Sequence, residues 1–77
     1  MKFSKMEEEA RQIVICAGRD VELEEIWLGL GKRESHFWRS KACDLMRRVC
    51  LKSSLLPPKI ERKTRLGRGS KAVYGIA

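Results

Sequence analysis

Residues 20–51 of this chain read DVELEEIWLGLGKRESHFWRSKACDLMRRVCL, and this stretch decides the fold. In its first part apolar side chains recur at helical spacing, and these are Leu23, Ile26, Trp27 and Leu30. They predict a short helix over about 23–30. Gly31 ends that helix and begins a tight polar turn.

The second part of the stretch predicts a longer helix over about 35–51. It contains neither Gly nor Pro, and Ser35 stands where a helix N-cap is expected. The buried stripe of this helix is predicted to be Trp38, Ala42, Leu45, Met46 and Val49. The opposite face is polar and mostly basic: His36, Arg39, Ser40, Cys43, Asp44 and Arg47, with Lys41 and Arg48 at one border.

Two helices joined by a glycine turn, the second with a basic outer face, form the helix-turn-helix arrangement of many DNA-binding proteins. An ordinary pair of bundle helices with a solvated outer face is the alternative, because any small helical domain contains such a pair.

The residues before this stretch predict a first helix over about 4–17. Its apolar face is Met6, Ala10, Ile13, Val14 and Ala17, and Gly18 stands where a helix ends. The glutamates Glu7, Glu8 and Glu9 lie in the first turn, where they favour the helix dipole. A short extended connector is expected around Val21, with that side chain pointing inward.

The residues after the stretch predict a β-hairpin over about 59–76. Pro57 and Pro58 interrupt the helix. A period-two pattern typical of a strand then follows, in which Ile60, Arg62, Thr64 and Leu66 alternate with Lys59, Glu61, Lys63 and Arg65. Gly67 and Gly69 supply the turn. The glycines lack the spacing of a nucleotide-binding P-loop, whereas a disordered basic tail stays open as an alternative.

The order of these elements resembles a winged helix-turn-helix DNA-binding domain, the layout of many small bacterial and phage transcription regulators. Residues 20–26 are similar to the start of that family's second helix, Ser35–Val49 to its recognition helix, and Lys59–Ile76 to its wing. The resemblance covers nearly the whole chain, with a bulky Trp27 where the family has a small residue and a turn one residue longer. It implies a single domain over residues 1–77 that is mainly α with a C-terminal β-hairpin.

The resemblance also implies that different polar residues contact different parts of duplex DNA. Base edges would be read in the major groove by His36, Arg39, Ser40 and Arg47. Phosphates would be contacted by Lys32, Arg33, Lys41 and Arg48. The wing would add Lys63, Arg65, Arg68 and Lys71.

Length and charge agree with a binding module. The chain has 77 residues and a net charge of +7, which allows one small domain. Residues 1–31 hold four basic and seven acidic side chains, whereas residues 32–77 hold thirteen basic and three acidic ones. The excess of positive charge in residues 32–77 favours a polyanionic partner.

Other functional classes find less support in the sequence. No apolar run is long enough to span a membrane, no signal peptide is visible, and three cysteines without a close pair fit a reducing cytoplasm. No spacing indicates a catalytic set or a metal site, so we expect neither enzyme activity nor a cofactor.

Two alternatives to DNA binding stay open. The acidic first third, at Glu7–Glu9 and Glu22–Glu25, would suit a basic protein partner, as in a phage-type inhibitor or adaptor of a host enzyme. RNA binding is favoured by charge, but the exposed aromatic side chains that stack on bases are few, Phe37 and Tyr74 at best. Trp27 and Trp38 are expected in the core, whereas Phe37 either lies exposed against a partner or folds under the turn.

Overall fold

The computed structural model of the chain describes residues 2–63 and 72–77. These residues form three helices and a three-stranded antiparallel sheet, and helix predominates. In chain order the elements are α1 (Lys5–Ala17), β1 (Val21–Glu22), α2 (Leu23–Gly29), α3 (Trp38–Ser53), β2 (Ile60–Arg62) and β3 (Val73–Ile76). The prediction of a mainly helical domain with paired strands near its C-terminal end is confirmed.

Helix α1 begins and ends on local signals. Ser4 is its N-cap, and its hydroxyl accepts a hydrogen bond from the Glu7 amide at 3.2 Å while the Glu7 carboxylate accepts one from the Ser4 amide at 2.8 Å. This reciprocal capping satisfies two backbone donors that the first turn leaves free. Gly18 ends the helix with φ of 65°, a conformation that glycine adopts at little cost.

Helix α2 packs closely against α1 and ends one residue before its predicted limit. A Cβ atom on Gly29 would lie 3.0 Å from Cδ1 of Ile13, so the small residue allows the two helices to approach. Leu30 is the C-cap, and Gly31 follows with φ of 77°.

The predicted start of α3 is wrong by three residues. The helix begins at Trp38, so Ser35 is not its cap, and His36 precedes the helix instead of lying on its outer face. Phe37 occupies the N-cap position with φ of 65° and makes no side-chain capping bond.

Tertiary contacts of two tryptophans explain this shift. The Trp27 indole N–H donates to the Arg33 carbonyl at 2.7 Å, and the Trp38 ring stacks on Trp27 with centroids 6.3 Å apart. These contacts hold residues 30–37 in a non-helical path that the capping preference of Ser35 does not overcome.

The C-terminal end of α3 lies two residues beyond its predicted limit. The Ser53 hydroxyl donates to the Cys50 carbonyl at 3.0 Å and accepts from the Ile60 amide at 2.9 Å. This buried serine therefore joins the last turn of α3 to the start of β2.

The sheet has the strand order β1-β3-β2, with β3 in the middle. Val21 pairs with Tyr74 on one side of β3, and Ile60 pairs with Ile76 on the other. The antiparallel pairing of β2 and β3 agrees with the predicted hairpin strands. Val21 is buried, as expected for the connector, but its pairing with β3 is a long-range contact that the sequence did not indicate.

One hydrophobic core lies between the helices and the sheet. Its buried members are Ala10, Val14, Val21, Leu23, Ile26, Trp27, Ala42, Leu45, Met46, Val49, Ile60 and Tyr74. The predicted stripe of α3 is confirmed except that Trp38 is half-buried. Within residues 2–63 and 72–77, no helix has the length and apolarity that crossing a membrane requires.

Candidate nucleic-acid interface

Five cationic side chains lie exposed on residues 30–37 and on the outer face of α3, and we call them the basic face. They are Lys32, Arg33, Arg39, Lys41 and Arg47. Within the part of the chain that the structure describes, none of the five forms an ion pair. The nearby carboxylates that do pair, such as Glu7 and Glu61, bind other cations.

The first two members of the basic face are held by their backbone. The Arg33 carbonyl accepts the bond from Trp27, and the Lys32 amide donates to the Trp27 carbonyl at 3.3 Å. The main chain is thus tied to the core at the point where both side chains remain exposed. An anion that binds here would meet cations on a fixed backbone.

Arg39 lies in the first turn of α3, where its guanidinium sits 5.4 Å from the centre of the Trp38 ring. This cation–π contact directs the side chain along the surface. Arg39 also lines a small cavity of about 170 Å³ with Glu22, Glu24 and Arg62. The predicted base-reading residue Ser40 follows it and is exposed.

Arg47 lies two turns further along α3 and is also exposed. It borders an open groove of about 550 Å³ between α3 and β2, whose lining includes Leu51, Ile60 and Tyr74. Asp44 is exposed between Lys41 and Arg47 and is the one acidic residue of α3. It lowers the positive potential of the basic face.

Arg48, predicted to contact phosphate, binds a carboxylate of α1. Its Nε donates to Oε2 of Glu7 at 3.0 Å, and Lys52 donates to Oε1 of the same group. Burial alone would raise the pKa of Glu7, but hydrogen bonds from Lys52, the Ser4 amide and Arg48 outweigh it and lower the pKa to about 2. Arg48 therefore joins α3 to α1, and it shares the single negative charge of Glu7 with Lys52.

His36 and Phe37 form an exposed pair of rings just before α3. Their centroids lie 4.0 Å apart with the planes at 60°. Phe37 is 69% exposed, which decides between the two placements that the sequence left open. His36 is exposed beside the basic face, although not on the helix.

The wing prediction falls mostly outside the described residues. Arg65, Arg68 and Lys71 lie there. Lys63 continues the strand pairing through its amide, which donates to the Val73 carbonyl at 2.7 Å, and its Nζ lies 3.3 Å from Oε1 of Glu61.

The three cysteines form no disulfide bond with one another. All three are free thiols, and burial raises the pKa of Cys50, which keeps that thiol protonated at neutral pH. Among residues 2–63 and 72–77, no group of three histidine, cysteine, aspartate or glutamate side chains could hold a metal ion.

An acidic surface lies on α2. Glu24, Glu25 and Leu28 are exposed there, and Glu25 pairs with Arg19 at 2.8 Å. Exposed carboxylates thus predominate on α2 and exposed cations on α3, and the two meet where Glu24 and Arg39 line the same cavity.

No family model, curated protein or solved structure matches this chain.

Proposed function

We propose that this protein binds double-stranded DNA as a small winged helix-turn-helix transcription regulator. In this proposal α3 lies in the major groove, residues 30–37 contact the backbone, and residues 59–76 act as the wing. Arg39, Ser40 and Arg47 read base edges, and Lys32, Arg33 and Lys41 contact phosphates.

The single observation that carries the proposal is the basic face. Five exposed cations lie on one helix and the segment that leads into it, without ion pairs to described carboxylates. Cations that served only solubility would be expected to mix with anions, as they do on α1, where Arg11 pairs with Glu8. A set of exposed cations without ion pairs among the described residues is typical of a surface that binds a polyanion.

The dimensions of α3 suit duplex DNA. An α-helix with its side chains is about 10–12 Å across, and the major groove is about 12 Å wide. Arg39 and Arg47 are eight residues apart on the exposed side, which corresponds to about 12 Å along the axis and to about three or four base-pair steps.

The order of the elements also supports the proposal. A short extended segment precedes α2 and two antiparallel strands follow α3, in the order that the resemblance to the winged family implies. Arg62 at the end of β2 and Ala72 next to the start of β3 line a cavity with Arg39 of the first turn of α3, so these parts of the strands and the helix are adjacent.

Fluorescence anisotropy with a labelled duplex of about 20 base pairs tests the proposal. We expect the affinity to fall steeply between about 50 and 200 mM salt, because each phosphate contact releases counterions. Replacing Lys41 by Ala should weaken binding to all sequences and reduce the log–log salt slope by about 1. Replacing Arg47 by Ala should cost about 1–3 kcal/mol on a duplex selected by the protein.

Lys5→Ala is the matched control, since Lys5 is exposed on α1 without an ion pair among the described residues. It should leave affinity and salt slope close to those of the unmodified protein. Binding that ignores salt, or equal losses in Lys5→Ala and Lys41→Ala, would contradict a DNA-binding basic face.

A second candidate is a protein-interaction module, which the acidic face of α2 favours. There the side chain of Leu28, 51% exposed, lies between the exposed carboxylates Glu24 and Glu25. The same anisotropy assay with duplex DNA, single-stranded DNA and a structured RNA separates the classes. No binding to any of the three would favour a protein partner.

A further inference from the structure

Phe37 is a large apolar side chain that does not contribute to the hydrophobic core. It is 69% exposed and absent from the core and from the side chains packed against it. Its ring contact is with His36, itself exposed. Transfer of such a ring from water to an apolar contact is favourable, so a partner that covers Phe37 gains affinity.

The surroundings of Phe37 are those of the basic face. The ring lines a shallow depression of about 510 Å³ together with Arg39 and Ser40, and the carboxylate of Glu34 lines it too. The Phe37 carbonyl also accepts a hydrogen bond from the Lys41 amide at 3.3 Å, which fixes the residue to the first turn of α3. Whatever binds Arg39 and Ser40 therefore also meets the ring.

The chemistry of the major groove limits what the ring can contact. The base edges present hydrogen-bond donors and acceptors, with one apolar group among the four unmodified bases, the C5-methyl of thymine. An aromatic ring gains nothing from displacing water around the polar groups, but it gains from covering that methyl.

We propose that Phe37 reads the thymine C5-methyl group at one edge of the site contacted by α3. This inference rests on the proposed binding of duplex DNA and adds a sequence preference to it. Arg39 and Ser40 contact the neighbouring base edges, and Phe37 favours a thymine beside them.

Deoxyuridine tests the proposal because it differs from thymidine only by the missing methyl. The probe is a duplex of about 20 base pairs that the unmodified protein selects from a random-sequence pool. Replacing its thymines by deoxyuridine, first together and then singly, should weaken binding about fourfold, the effect expected for one buried methyl group. The loss should concentrate at one or two positions.

Two variants of Phe37 test whether the preference for thymine over deoxyuridine depends on the aromatic ring. Phe37→Ala should bind the thymine and deoxyuridine duplexes equally. Phe37→Gly should do the same and also be at least as stable as the unmodified protein, because glycine adopts a φ of 65° without the steric cost that phenylalanine bears. Leu28→Ala, which removes an exposed apolar side chain from α2, is the control and should keep the discrimination.

The outcomes separate the inference from the proposed function. If the unmodified protein binds both duplexes equally, or if Phe37→Ala still distinguishes them, Phe37 does not read the methyl group even though DNA binding stands. If the pool yields no duplex with salt-dependent affinity, the proposed function fails and this inference fails with it.

Discussion

At the scale of single residues, Glu7 has a larger structural role than the exposed cations of the basic face, because its carboxylate binds groups on both α1 and α3. Its carboxylate is buried, caps the first turn of α1 through the Ser4 amide, and accepts from Arg48 and Lys52 on α3. A buried carboxylate is tolerated because its oxygens are hydrogen-bonded and two cations neutralise it. It therefore fixes how α1 and α3 meet.

Replacing Glu7 by Gln should lower the free energy of unfolding by about 2–3 kcal/mol at pH 7. The amide keeps the shape of the side chain but loses the charge that holds Arg48 and Lys52. Urea unfolding followed by the fluorescence of Trp27 and Trp38 measures the change. Glu9→Gln, on the exposed face of α1, should alter stability by less than about 0.5 kcal/mol.

The contribution of Glu7 should depend on pH in a defined direction. Its pKa is lowered from 4.5 to about 2 in the folded state, so its stabilising effect is complete above pH 4.5 and is lost as the pH falls towards 2. The stability difference between the unmodified protein and Glu7→Gln should therefore shrink over that interval. A difference that stayed constant from pH 7 to pH 2 would contradict this role.

At the scale of elements, periodicity predicted each helix, whereas the start of α3 depended on contacts between distant residues. Apolar residues at i, i+3 and i+4 located α1, α2 and the buried stripe of α3 because burial follows the helical period. The stacking of Trp38 on Trp27 and the bond to the Arg33 carbonyl could not be inferred from local capping rules. The sequence therefore predicts His36 on the helix and leaves Phe37 either exposed or under the turn, whereas both side chains lie exposed just before α3.

The sequence predicted which residue types form the candidate site. It did not predict which of the cations form ion pairs with carboxylates. Lys32, Arg33, Arg39, Lys41 and Arg47 are exposed, as a basic outer face requires. Arg48 has the same chemistry in the sequence, but Glu7, 41 positions earlier, binds it. A charge pattern gives the sign of a surface, and only the fold shows which charges neutralise each other.

The acidic residue Asp44 on the outer face of α3 is expected to weaken DNA binding. Asp44→Asn removes the acidic charge between Lys41 and Arg47 without changing shape. At low salt it should raise duplex affinity about twofold to fivefold, because the carboxylate repels phosphate within the screening length. Glu9→Gln changes net charge equally on α1 and should have a smaller effect. Equal gains in the two variants would mean that overall charge, not this helix face, governs binding.

At the scale of the whole molecule, a thin core makes each buried side chain important. A domain of this size buries only about 60% of the surface that its unfolded chain exposes. Ile60, fully buried in β2, touches the end of α3 through Ser53 and belongs to the single core cluster. Its loss affects helices and sheet together.

Ile60→Ala should therefore lower the free energy of unfolding by about 2–5 kcal/mol, a large fraction of the total for a small domain. Circular dichroism of the helices and tryptophan fluorescence should report the same unfolding midpoint, because one core supports both. Leu55→Ala, at a position 67% exposed, should stay within about 0.5 kcal/mol. Retention of helical signal after loss of tryptophan signal would contradict a single cooperative core.

The middle position of β3 has a consequence for biosynthesis. Translation proceeds from the N-terminus, so both neighbours of β3, residues 21–22 and 60–62, are polymerised before residues 73–76. Without residues 73–76, the pairing of Val21 with Tyr74 and that of Ile60 with Ile76 are both missing, and no strand joins β1 to β2. A chain whose elongation stalls before residue 73 therefore cannot complete this sheet, and we expect such a chain to bind chaperones.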